Sequence, residues 1–187
     1  MFPVLESASP AWQEFLAGCI DIVANDRRPA ARRLLALSWL YTTVATRVAV
    51  ESLGYDRRFI LMDEPVGYRP SIFDSSREPS STSVIEYYEK VPPPTAIIYI
   101  SADVDTIVHR ITERRSNGMV ALRHQKMSLP QLTRDTEWAI ELADLGVTLL
   151  QRKQIPVLRL TAEKDLTTNV ETVKTFFRDS WLSMHER

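Results

Sequence analysis

Two groups of residues have the types and the spacing to do chemistry. The first is Asp63-Glu64-Pro65, which directly follows a short apolar run, Phe59–Met62. In open parallel sheets ligands bind beyond the carboxyl ends of the strands. An acid pair at such an edge could hold the water shell of Mg²⁺ or take a proton from a substrate hydroxyl. The same two residues would also serve as a turn cap (Asp63) and a solvated carboxylate (Glu64). The second group is Arg110 and Arg114, one helical turn apart and so on one face. Arg115 and Arg123 extend it, with His124 and Lys126 beyond. Guanidinium forks match phosphate oxygens and suit a transferring phosphoryl group. A solvated basic helix end, complementing the helix dipole, is the simpler account of the same spacing.

The elements that must position these groups are legible from pattern. Phe59–Met62, Thr95–Ile100 and Pro156–Leu160 are short and rich in branched residues, as strands buried on both faces of a parallel sheet would be. Helical patterns separate them, which predicts βαβ architecture. Ala31–Ser52 reads as one long helix ended by Gly54, and Val84–Val91 as a short one stopped by Pro92-Pro93-Pro94. Asp103 is suited to N-cap a helix whose Val104, Ile107, Val108 and Ile111 share a face. Ser128 with Gln131 forms a capping box opening a helix that runs to about Gln154, and Thr168 with Glu171 forms another. Gly67–Ser83 and Arg115–Met127 read as loops that bury little apolar surface.

Composition narrows the classes. The 187 residues suffice for one domain, 1–187, with a real core. A formal net charge of -1 gives no bulk attraction to nucleic acid or to an anionic membrane. The single cysteine, Cys19, allows no internal disulfide and lies in an apolar stretch with no basic neighbour, which reads as core. No apolar run reaches the roughly 20 residues of a membrane helix, no secretory signal opens the chain, and a cytoplasmic location is the expectation. The three histidines show no zinc-ligand spacing.

Phe59–Arg69 (FILMDEPVGYR) followed by Glu86–Arg115 (EYYEKVPPPTAIIYISADVDTIVHRITERR) resembles the thymidylate-kinase-like nucleoside and nucleotide kinases of the P-loop group. Those proteins carry an acidic motif at a core strand's end, a proline-led strand, an acidic N-cap, and a helix with R-x-x-x-R leading into a lid. The likeness runs from about Ala31 to Leu182. It implies an α/β, P-loop NTPase-like three-layer sandwich, with a mostly parallel sheet flanked by helices and a lid at about 115–127. It also implies ATP-dependent phosphoryl transfer to a nucleoside, nucleotide or other small hydroxyl acceptor, with ATP and Mg²⁺ bound. By the resemblance Asp63 is the strand-end acid near Mg²⁺ and Glu64 its polar neighbour. Arg110 and Arg114 are the lid arginines on the phosphates, with Arg115 and Arg123 as additions. Thr161, Ala162 and Glu163 belong to the loop that flanks the adenine base. Arg47 and Arg69 are candidates for gripping the acceptor, though they match no tight motif.

One departure bears on all of this. No glycine is followed by lysine, so the G-x-x-x-x-G-K-[ST] loop that cradles nucleotide phosphates is not among these residues. Met1–Pro10 reads as already past the family's first helix. The expectation is that the first strand and the P-loop, roughly 30 or more residues of a βαβ unit, are missing. The rival expectation is a loopless relative that binds a nucleotide or a protein without catalysis, and a third is sulfuryl transfer from a phosphonucleotide donor. The long helix with Trp39, Leu40 and Val44 could pack on its own sheet or form a homodimer.

Overall fold

The computed structural model describes residues 8–25, 27–52, 81–119 and 122–185. The strand expected at Phe59–Met62, the terminator Gly54 and nearly all of the loop at Gly67–Ser83 lie outside them. The described part is mostly helical with a small two-stranded parallel sheet, an α/β arrangement. It falls into two compact units, Met1–Pro93 and Pro94–Arg187.

The first unit contains α1 (Pro10–Ala24), α2 (Ala30–Ser52) and α3 (Thr82–Lys90). Proline opens α1, where its missing N–H costs nothing. Trp12, Phe15, Leu16, Cys19 and Val23 recur at helical spacing and are buried. They meet Ala36, Leu40, Val44 and Val48, a strict every-fourth-residue stripe on α2, and Val84, Tyr87 and Tyr88 of α3. An aromatic chain runs through this core. Trp12 meets Phe15 edge-on at 5.9 Å, Phe15 lies 5.1 Å from Tyr87, and Tyr87 meets Tyr88 edge-on at 5.3 Å. Arg33 Nη1 donates to the Ala24 carbonyl at 2.8 Å, closing the end of α1 from the next helix.

The second unit runs β1 (Ile97–Ser101), α4 (Val104–Ser116), α5 (Leu122–Gln125), α6 (Leu129–Arg152), β2 (Val157–Thr161) and α7 (Leu166–His185). The strands pair directly and in parallel, Ile97 opposite Val157 through Ser101 opposite Thr161. Each begins within two residues of the expected start. The expected burial on both faces is not observed: Ile97 and Leu160 are buried, while Ile100 is 62% exposed.

The helix signals are met to different degrees. Asp103 Oδ1 accepts the Thr106 N–H at 2.6 Å, the expected N-cap of α4. Gln131 Oε1 accepts the Ser128 N–H at 2.8 Å, the return arm of the expected capping box. The second box does not form as expected. Asp165 captures the Thr168 N–H at 3.0 Å and starts α7 three residues earlier than Thr168 would, leaving Glu171 to pair with Lys174. A carboxylate is the stronger acceptor for an exposed first turn.

Candidate functional site

Because β1 and β2 are parallel, their carboxyl ends share one edge. The backbone locks that edge together. Ala162 N–H donates to the Ser101 carbonyl at 2.8 Å, and Ser101 Oγ donates to the Leu160 carbonyl at 3.1 Å. Asn169, in the first turns of α7, donates from Nδ2 to the Thr161 carbonyl at 3.0 Å. Its Oδ1 is buried and has no hydrogen-bond partner. Thr161 and Ala162 are half-buried and Glu163 is exposed. Nothing in the sequence marked Ser101 or Asn169. Only the register of the two strands brings them to the edge.

Asp103 stands at the same edge, two residues beyond β1. The bond from the Thr106 backbone holds its carboxyl below the usual aspartate range, with Arg110 adding a smaller pull. Arg110 and Arg114 lie on exposed turns of α4, and among the described residues neither is paired with a carboxylate. Two exposed guanidinium forks on one face are what an anionic ligand could engage.

Arg115 is used differently. Its Nη2 donates to the His124 carbonyl, tying the end of α4 to α5, and its Nε is buried with no partner. His124 Nε2 in turn lies 3.7 Å from Asp135 Oδ2 on α6. The expected loop thus contains a three-helix junction. It begins with a Schellman motif: Gly118, at φ 69°, donates to Arg115 O at 3.1 Å, and Met119 donates to Arg114 O at 2.8 Å. Arg123 belongs to α5. The junction's signal in the sequence was Gly118 between Asn117 and Met119, a helix terminator as much as a loop residue.

In the first unit, Arg47 Nε lies 2.7 Å from Glu51 Oε1, and Glu51 Oε2 accepts the Trp12 indole N–H at 3.1 Å. Arg47 is therefore engaged with its own helix. Cys19 is buried, and burial pushes its thiol well above the ordinary range against a weaker pull from Lys90, as a core cysteine requires. Asp63, Glu64 and Arg69 lie outside the described residues.

Among the described residues no group of three histidine, cysteine or acidic side chains could hold a metal ion. No helix there is long and apolar enough to cross a membrane. No protein-family model, curated protein or solved structure significantly matches this chain.

Proposed function

We infer that the chain is kinase-like, serving ATP-dependent phosphoryl transfer to a nucleoside, nucleotide or other small hydroxyl compound within a P-loop-like sandwich. The observation that carries this reading is the shared carboxyl edge of β1 and β2. There the Thr161–Glu163 turn is bonded to the end of the proline-led strand, and the acid-capped helix bearing Arg110 and Arg114 departs from it. In this reading Arg110 and Arg114 attract and orient phosphate oxygens, and the Thr161–Glu163 turn walls the base. Asp63 would take the acceptor's proton or hold Mg²⁺, which, when bound, neutralises phosphate charge. Phosphoryl transfer further requires a phosphate-cradling loop, which these residues do not contain.

The test is thermal unfolding with and without Mg²⁺–ATP. A ligand at about 100 times its Kd stabilises the folded state by about 2.7 kcal/mol. An upward shift is expected for the native chain and is lost in Arg110→Ala/Arg114→Ala, whose ligand-free melting is unchanged. In a protein that also carries the phosphate-cradling loop, Asp63→Ala cuts turnover sharply while keeping the shift. Melting indifferent to every Mg²⁺–nucleotide would overturn the reading. The absence of the phosphate loop among these residues favours a second one, a non-catalytic nucleotide- or protein-binding module. It predicts the shift without turnover for a nucleotide, or no shift for a protein ligand.

A further inference from the structure

The outward side of α2 is chemically unusual. Residues 34–46 contain no charged side chain. The buried stripe accounts for Ala36, Leu40 and Val44, but the opposite side is apolar too: Leu34 is 67% exposed, Leu35 46% and Trp39 48%. The threonines between them do not restore polarity. Thr42 Oγ1 donates to Ser38 O at 2.9 Å, Thr43 to Trp39 O at 2.9 Å and Thr46 to Thr42 O at 2.8 Å. Their hydroxyls are turned onto the helix's own carbonyls. A helix face turned to water ordinarily carries charge.

Beside this face lies the strongest local charge in the first unit. Arg27, Arg28, Arg32 and Arg33 fall within seven positions, at and just before the start of α2, in a chain whose net charge is -1. The positive end of the helix dipole adds to them. Exposed leucines and a tryptophan, bordered by arginines at one end of a helix, form the pattern of a segment lying in a lipid–water interface. A nucleic acid would use the arginines and leave Leu34 and Leu35 idle. A second copy would cover the leucines and leave the arginine cluster without an opposing charge.

We propose that the N-terminal half of α2 docks on an anionic lipid surface, with Arg27 and Arg32 on the headgroups and Leu34 and Leu35 in the acyl boundary. This is attachment in the plane of the bilayer, independent of the kinase reading. A span is a separate matter, since no described helix is long and apolar enough for one.

The experiment is co-sedimentation of the whole chain with vesicles of phosphatidylcholine, with or without about 30% phosphatidylserine. Binding is expected only with phosphatidylserine, and it should fall steeply with added salt. Each basic residue near such a surface contributes about fivefold in partitioning. Arg27→Gln/Arg32→Gln should therefore bind about 25-fold more weakly. These two are chosen because Arg33 also closes α1. Leu34→Gln/Leu35→Gln should lose binding with unchanged circular dichroism and melting, since neither leucine belongs to the core. Equal binding to neutral vesicles would overturn the proposal. So would concentration-dependent dimerisation that the leucine variant abolishes without any vesicle binding, or retention on duplex DNA that matches retention on vesicles.

Discussion

Gly118 and Gln154 occupy the same position at two helix ends, and exchanging them for other residues should move stability in opposite directions. Gly118 follows α4 at φ 69° and Gln154 follows α6 at φ 62°. Both ends carry the Schellman hydrogen bonds, with Gln154 donating to Gln151 O at 2.9 Å and Ile155 to Leu150 O at 3.4 Å. Left-handed backbone costs an L-residue about 1–2 kcal/mol, and glycine's extra freedom in the unfolded chain costs about 0.5–1 kcal/mol. A Cβ on Gly118 would meet nothing within 4 Å, so no clash adds to the sum. Gly118→Ala should then lose about 0.5–1 kcal/mol, and Gln154→Gly should gain about the same. Both positions lie in the second unit. For a unit of that size the shifts amount to roughly 2–6 °C in melting temperature, down for the first and up for the second. Amide exchange at Met119 and Ile155, whose N–H groups close the two motifs, assigns each effect to its own helix end. A gain from Gly118→Ala, or a loss from Gln154→Gly, would refute the reasoning.

Phe15→Ala should cost about 3–5 kcal/mol and unfold the first unit at moderate urea, because the ring is 1% exposed and contacts both Trp12 and Tyr87. Arg115→Met should cost about 1–2 kcal/mol through the lost bond to the His124 carbonyl, read as faster amide exchange over residues 124–127. The Cys19 thiol, raised by burial, should resist disulfide reagents at pH 8 until the chain unfolds. Its linkage has a definite sign. Stability is fully present below the unfolded thiol's pKa of about 8.5 and falls as pH rises above it, since only the unfolded chain then gives up the proton. Cys19→Ala should flatten that alkaline decline in urea midpoints. The Asp103 carboxyl, lowered by its bond from Thr106, acts oppositely: its cap is intact above the ordinary aspartate pKa and weakens as acid protonates it, a decline absent in Asp103→Asn.

Local signals carried much of the described fold. Pro92-Pro93-Pro94 fixed the end of α3 and the onset of β1, and Asp103 and Ser128 fixed two helix starts, because caps and proline act within a few residues. What depended on competition between neighbours was less legible. Asp165 and Thr168 both offered acceptors to the first turn of α7, and only geometry chose the carboxylate. Tertiary partners were not legible at all. Arg115 shares its residue type with Arg110 and Arg114 and directly follows Arg114, yet it bonds to a backbone carbonyl nine residues on, while they face solvent. The same holds for Arg47, whose carboxylate partner also binds Trp12 from a helix far away in sequence.

The direct pairing of β1 with β2 has a consequence for the chain as it is made. Ile97 finds its partner in Val157, 60 positions later, with three helices in between. At ribosomal speeds of about 5–20 residues per second, β1 waits roughly 3–12 s for β2, its strand partner among the described residues. During that interval Ile97-Ile98-Tyr99-Ile100, an uncharged branched and aromatic run, presents unpaired backbone to any other nascent strand. The yield of folded protein should therefore depend on translation speed through residues 102–161, and on a chaperone that shields that run until β2 emerges.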